Sequence, residues 1–313
     1  MDKQGFTTYL ENRDLSKSSI NCYIKHTVLF LEWVKKEEIQ VTKPDILKFL
    51  EYLKNERGQQ NITRSNYLIA VNHYFSFLYQ EGLIAKNACS LLKIRGIKRK
   101  MLYKIYTPEE LDGLCDNYCQ LFVHGYNDRH IPQNQRKQSV LNRERNAVIL
   151  SILTNQGVVT SEIGKIELED LDLMKATLKI RGKRVKERTL PLKASQIGLL
   201  MFYLQNTRPK ILEYYTIESN KLFLLLPKTG NKTTDNDTVF EVFKPLIKQV
   251  RTIDKKFLNF QQVRASVITF WLKTQGLRKA QYLAGHRYIH STEEYLPNNL
   301  DGLIDDINKL HPF

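Results

Sequence analysis

Apolar side chains in the first hundred residues recur at three- and four-residue spacing, the period of one helix face. Ile20, Tyr23, Ile24, Val28, Leu31 and Val34 form one such series, and Ser16 stands before it with a hydroxyl suited to capping. Tyr67, Leu68, Val71, Tyr74, Phe75, Phe77 and Leu78 form a second, with Thr63 ahead of it and Gly82 placed to stop it. A shorter helix is expected over Ile46–Leu53. Residues 1–95 therefore read as an all-helical domain with its own core, and the aromatic stripe is assigned to that core rather than to a stacking platform.

The pattern changes further along. Thr107-Pro108-Glu109-Glu110 is a helix start: a capping threonine, proline at the first position, and glutamate three residues after the cap. The polar stretch 124–142 is expected to be a loop, and Arg145–Leu153 a buried helix. Ala176–Ile180 and Glu187–Leu192 switch to a period of two, joined by Arg181-Gly182-Lys183-Arg184-Val185-Lys186, which predicts a β-hairpin with glycine in its turn. From about Lys193 the chain reads as mainly helical. The fold class expected is mainly α with a small β-hairpin or sheet, and no internal repeat is present.

Charge narrows the partners. In 313 residues, 48 Lys and Arg face 33 Asp and Glu, a formal net charge of +15. Such an excess favours a polyanion, either nucleic acid or an anionic membrane surface. No apolar run approaches the ~18 residues of a membrane span. The polar N-terminus lacks the apolar core of a signal peptide, so a cytoplasmic, nucleoid-associated protein is expected. Lys86 to Lys104 contains no acidic residue. Lys93, Arg95, Lys98, Arg99 and Lys100 there are candidate phosphate contacts, and 96–105 reads as a basic linker. Cys22, Cys89, Cys115 and Cys119 fit a reducing compartment and read as small packing residues; no nearby His or Cys pair completes a metal site.

Four features of the second half form a set: Lys183 on the basic hairpin, Arg264 in Gln261-Gln262-Val263-Arg264, His286 after Gly285, and Tyr295 nine residues later. In this order and spacing the chain resembles the tyrosine recombinase/integrase family, enzymes that break and rejoin DNA. The family's Leu-Gly-His box, with tyrosine nine residues after the histidine, matches Ala284-Gly285-His286 and Tyr295 without a gap. Its His-x-x-Arg box matches Gln261–Arg264. Its Gly-Lys-Gly hairpin followed by Lys-x-Arg and Pro-Leu matches Gly182-Lys183-Arg184, Lys186-Glu187-Arg188 and Pro191-Leu192. Its Thr-Gly-Leu-Arg-x-Ser-Glu box matches Gln156-Gly157-Val158-Val159-Thr160-Ser161-Glu162. Two positions depart: the family's first arginine is Val159 here, and the histidine opening the His-x-x-Arg box is Gln261.

The resemblance implies a helical, SAM-like DNA-binding domain over 1–95, the basic linker, and an α+β catalytic domain over 106–313. It implies Tyr295 as nucleophile, forming a 3′-phosphotyrosyl bond, with rejoining that needs no ATP. Arg264 would hold phosphate oxygens in its planar fork. Lys183 would protonate the 5′-oxygen, and His286 would donate to phosphate or shuttle a proton. Gln261 can donate a hydrogen bond but cannot transfer a proton. Arg184 and Lys186 are further DNA-contact candidates, and the scheme needs no metal or nucleotide. Arg145, Arg181 and Arg184 are candidate substitutes for the missing arginine. Leu300, Leu303, Ile304, Ile307 and Leu310 would form the apolar face of a C-terminal helix. That helix packs on its own domain or, as the family implies, docks on a neighbour in a synaptic tetramer on duplex DNA. Two other readings stay open: a non-catalytic DNA-binding protein on the same fold, and a relaxing topoisomerase using the same chemistry.

Overall fold

The computed structural model describes residues 1–96, 103–182, 187–215, 218–226 and 240–296. Lys98, Arg99, Lys100, Lys183, Arg184, Lys186 and the C-terminal helix expected around 300–310 lie outside them. The chain divides into two compact units, Met1–Met101 and Leu102–Phe313, and the division falls inside the 96–105 stretch.

The first unit is helical: α1 (Lys3–Glu11), α2 (Lys17–Val34), α3 (Lys43–Asn55) and α4 (Asn61–Gln80). The Ser16 hydroxyl accepts from the Ser19 N–H at 3.2 Å, so the cap forms as its sequence suggests. The buried line of α2 runs through Ile20, Thr27 and Phe30. Tyr23, Ile24, Leu31 and Val34 flank it only partly buried, so the core face is rotated from the series read in sequence. Helix α4 starts at Asn61 and Thr63 lies inside its first turn, because Asn61 ties the turn down: it accepts from Arg64 at 2.9 Å and donates to the Arg95 carbonyl at 3.0 Å. Buried aromatics from all four of these helices, Phe6, Phe30, Phe49, Tyr74 and Phe75 among them, fill the core. Cys89 is buried but Cys22 is exposed, its sulfur 3.7 Å from His26 Nε2, so Cys22 is not a packing residue. Lys93 and Arg95 are exposed.

The second unit opens with α5 (Pro108–Tyr118). Its capping box closes both ways: Thr107 Oγ1 accepts from the Glu110 N–H at 3.2 Å, and a Glu110 carboxylate oxygen accepts from the Thr107 N–H at 2.9 Å. Residues 133–142 are not a loop. They begin α6 (Gln133–Gln156), one helix continuing through the predicted buried segment. Gln, Arg and Lys are good helix formers, Pro132 precedes the start, and the polarity reflects solvent around the early turns rather than irregular backbone. The second half of α6 is buried nearly all round.

After the short α7 (Thr160–Ile163) come β1 (Leu171–Asp172), β2 (Thr177–Ile180) and β3 (Arg188–Pro191), an antiparallel sheet in that order. Leu178 pairs with Leu190 and Ile180 with Arg188, which turns Leu178, Ile180 and Leu190 into the core. The predicted hairpin is thus present, with β1 added at one edge. Among the described residues, five more α-helices follow: α8 (Ala194–Phe202), α9 (Arg208–Leu212), α10 (Phe240–Ile253), α11 (Phe260–Ala284) and α12 (His290–Glu293). Gly276, at φ 76°, breaks α11 between its two halves. Among the described residues no helix is long and apolar enough to cross a membrane.

Candidate functional site

Helix α11 crosses the end of α6, and that crossing builds the site. Gly157 caps α6 at φ 53°, and a Cβ there would lie 3.0 Å from Val267 Cγ1 of α11. Both the left-handed backbone and the close approach require glycine. Asn259 caps the start of α11, its side chain accepting from the Gln262 N–H at 3.0 Å. Arg264 then faces inward and is 8% exposed. Its guanidinium donates to the Gly157 carbonyl, to the Ala284 carbonyl at 2.8 Å, and to His286 Nε2 at 3.2 Å. The phenol of Tyr295 is a further hydrogen-bonding neighbour, and burial lowers the Arg264 pKa.

Gly285, at φ 69°, ends α11 and turns the chain so that His286 comes back over Arg264. An arginine has no acceptor, so the His286 nitrogen facing it must carry the lone pair. The other nitrogen, Nδ1, then bears the hydrogen and donates to Thr292 Oγ1 at 2.8 Å. Burial first, then the Arg264 and Arg188 charges, push the imidazole down to about 4. His286 is therefore neutral at pH 7. Thr292, fully buried in α12, also accepts through its carbonyl from the Tyr295 N–H at 3.0 Å. One short helix thus sets the histidine tautomer and starts the turn carrying the tyrosine. The rings of His286 and Tyr295 stack at 5.8 Å between centroids.

A buried ion pair borders these groups. Arg188 on β3 donates from both terminal nitrogens to Glu162 on α7, each bond 2.9 Å, and its side chain is fully buried. Glu162 also accepts from the Val159 N–H at 2.9 Å. Burial alone would raise the Glu162 pKa, but the Arg188 fork outweighs it and the net direction is downward. Val159 is half-buried, two residues from the Gly157 carbonyl that holds Arg264.

The structure thus brings Arg264, His286 and Tyr295 together. Gln261 sits one turn earlier on α11, exposed, with its Oε1 accepting from the Tyr103 hydroxyl at 3.0 Å. Lys183 falls outside the described residues. Two of the cations that the sequence offered in place of an arginine at Val159 are already engaged. Arg145 is buried and bonds Asn146 and the Leu224 carbonyl, the latter at 3.0 Å. Arg181 is held by Glu167 at 2.7 Å, by Asp170 at 2.8 Å and by Glu169. Thr292 and the Arg188–Glu162 pair were not singled out from sequence. Glu162 and Arg188 stood inside recognisable boxes, but their pairing across 26 residues had no local signal.

Known proteins carry the same organisation. Among curated proteins, the tyrosine recombinase XerC of Oceanobacillus iheyensis is 26% identical over 98% of this chain and 94% of its own length. The tyrosine recombinase XerD of Staphylococcus saprophyticus is 25% identical over 96% of this chain and 94% of its own. Of solved structures, the XerH site-specific recombinase bound to difH substrate aligns with a TM-score of 0.64 at 19% identity, over 95% of this chain and 82% of that one. A lambda integrase (75–356) dimer bound to a COC' core site aligns at 0.61 and 13% identity, over 93% and 92%. Residues 3–86 match the phage integrase N-terminal SAM-like domain. Residues 131–300, more than half the chain and the whole of the arginine–histidine–tyrosine cluster, match the phage integrase family model, and the chain belongs to that family, the tyrosine recombinases.

Proposed function

We propose that this protein is a site-specific DNA recombinase that cuts and rejoins duplex DNA through a 3′-phosphotyrosyl intermediate, in the service of a mobile element. One observation carries the reading: Arg264, His286 and Tyr295, drawn from two separate sequence boxes, meet through direct hydrogen bonds and ring stacking. The net charge of +15 and relatives named as recombinases support DNA as the substrate.

In this scheme the Tyr295 oxygen attacks the scissile phosphorus. A Tyr–O–P bond forms as the P–O5′ bond breaks, and Lys183 gives the leaving oxygen its proton. The number of phosphodiester bonds is unchanged, so the free 5′-hydroxyl can reverse the step without ATP. Arg264 presents its fork to the non-bridging oxygens. Its internal partners in the free chain are two carbonyls, the His286 lone pair and the Tyr295 phenol, so binding phosphate exchanges such neutral bonds for charge-assisted ones. Released from Arg264, His286 Nε2 is available to take the phenolic proton and return it on rejoining. Gln261 adds a neutral donor. Lys93, Arg95, Lys98, Arg99, Lys100, Arg184 and Lys186 serve DNA affinity, and a tetramer on DNA completes strand exchange.

Val159 favours one competing reading, a DNA-binding protein that no longer cuts. An aimed donor in such a site is worth roughly 10²–10³ in rate, and a phosphoryl-centre arginine up to about 10⁵. A covalent-trapping experiment separates the two. Nicked duplexes from the DNA flanking the gene are incubated with protein and run on denaturing gels. The expected result is an adduct formed by the wild type and absent in Tyr295→Phe, with faster adduct formation in Val159→Arg. Tight duplex binding with no adduct from either wild type or Val159→Arg would favour the non-catalytic reading.

A further inference from the structure

The chain entering the second unit is fastened along the first two turns of α11. Gln262, buried on that helix, donates to the Lys104 carbonyl at 2.9 Å and to the Lys256 carbonyl at 3.3 Å, while its Oε1 accepts from the Leu258 N–H at 2.8 Å. The Tyr106 N–H donates to the Ser266 hydroxyl at 2.9 Å, and the Tyr106 hydroxyl to Asp254 at 2.9 Å. Tyr103 is therefore held in place by its neighbours, and its hydroxyl meets the Gln261 amide oxygen at 3.0 Å.

We propose that Tyr103 is a positioning residue that fixes the Gln261 amide so that its NH2 end, not its oxygen, is offered to the scissile phosphate. The inference rests on the recombinase reading above. Gln261 lies three residues before Arg264, so both side chains leave the same face of α11, with Arg264 buried and Gln261 at the exposed rim. A phosphate oxygen only accepts. A glutamine helps it with the amide turned one way and opposes it with the amide turned the other. An imidazole N–H does not carry a carbonyl on the same group. A chain with glutamine at this position thus gains from a partner that occupies the amide oxygen, and the Tyr103 hydroxyl is that partner. The relation also ties the end of the basic linker to the site through one hydrogen bond.

The test is a double-mutant comparison of wild type, Tyr103→Phe, Gln261→Ala and the pair. Single-turnover adduct formation on a nicked duplex at saturating protein is read beside duplex affinity and melting temperature. Tyr103→Phe is expected to slow adduct formation about 3- to 10-fold, the range spanned by the net worth of a neutral hydrogen bond. Affinity and melting temperature should not move, and the substitution should have no further effect once Gln261 is alanine. An unchanged rate overturns the proposal. So does an equal loss in the Gln261→Ala background, which would mean that Tyr103 acts on its own. A fall in affinity without a fall in rate overturns it too, making Tyr103 a plain DNA contact. Absence of adduct from the wild type would overturn the recombinase reading and this assignment with it, whereas an active wild type and an equally active Tyr103→Phe would overturn this assignment alone.

Discussion

The imidazole of His286 and the phenol of Tyr295 lie nearly parallel, 15° apart, with their centroids separated by 5.8 Å. Stacking of this kind is worth about 0.5–1.5 kcal/mol beyond area burial. It keeps the tyrosine ring over a histidine that is itself tied to Arg264 and Thr292. Tyr295 is thereby part of the packed second unit and not a free side chain on a loose terminus.

The state of His286 makes stability depend on pH with a definite sign. Its folded pKa lies near 4, below the ordinary 6.5, because burial and the Arg264 and Arg188 charges oppose protonation, with Glu162 acting the other way. Between those values the unfolded chain binds a proton that the folded chain refuses, so stability falls as pH drops from about 6.5 toward 4, with no further loss from this group below that. His26 and His73, also lowered mainly by burial, act in the same direction in the first unit. Comparing the melting temperature of wild type and His286→Gln across this window isolates the effect. The wild-type curve should fall more steeply on acidification, and parallel curves would contradict the assignment.

Thr292 should matter through its hydroxyl. Thr292→Val keeps the shape but removes the acceptor for His286 Nδ1–H, now 2.8 Å away. The hydrogen is then free to move to Nε2, where it faces the Arg264 donors. We expect adduct formation to slow about 10-fold in Thr292→Val, with Thr292→Ser close to wild type, and stability to drop by about 1–3 kcal/mol for the buried polar group left unpaired. Nitrogen chemical shifts of the His286 ring would report the tautomer directly.

Much of this was legible where the signal is local. The Thr107–Glu110 box predicted both of its hydrogen bonds, because four adjacent residues decide them. The alternation over 176–192 predicted the hairpin, and the spacing of Gly285, His286 and Tyr295 pointed to residues that do meet. Longer-range effects escaped. The first turns of α6 read as loop because exposed helix and loop have the same polarity. The core line of α2 was misplaced because Thr27 and Phe30 are selected by partners on other helices. Strand β1 has two residues and no period to detect. The tie between Arg188 and Glu162, and that between Tyr103 and Gln261, depend on tertiary folding and left no trace in spacing.

Gly157 should tolerate nothing larger. Gly157→Ala places a methyl group 3.0 Å from Val267 and keeps a φ of 53° that disfavours a side chain. The expected loss is about 1–3 kcal/mol, and the displaced carbonyl should also loosen Arg264. Adding Val267→Ala removes the Cγ1 contact at 3.0 Å but leaves the residue-267 Cβ at 3.1 Å and the backbone strain, so the double variant should recover part of the loss and be more stable than the two single losses added together. Urea unfolding followed through Trp271, in a Trp33→Phe background, measures this in the second unit; strict additivity would exclude the close approach as the cause.

The Arg188–Glu162 pair offers the sharpest stability test because its two halves are unequal to remove singly and jointly. Arg188→Met strands a buried carboxylate that keeps, among the described residues, the Val159 N–H as its one donor at 2.9 Å, and should cost about 3–5 kcal/mol. Glu162→Gln strands the arginine, although the new amide oxygen can still accept from Val159. In the double variant no charge is stranded, and the methionine fills part of the buried volume. We therefore expect the double variant to recover at least half of the loss seen in Arg188→Met. The lowered Glu162 pKa adds a pH signature. Its stabilisation is present above the ordinary 4.5 and is lost as pH falls from there through the lower folded value. The acid limb of the wild-type stability curve should flatten in the double variant, while the His286 slope between about 6.5 and 4 remains. If the double variant were as unstable as Arg188→Met and its acid limb unchanged, the pair would not be the element that joins α7 to β3 beside the site.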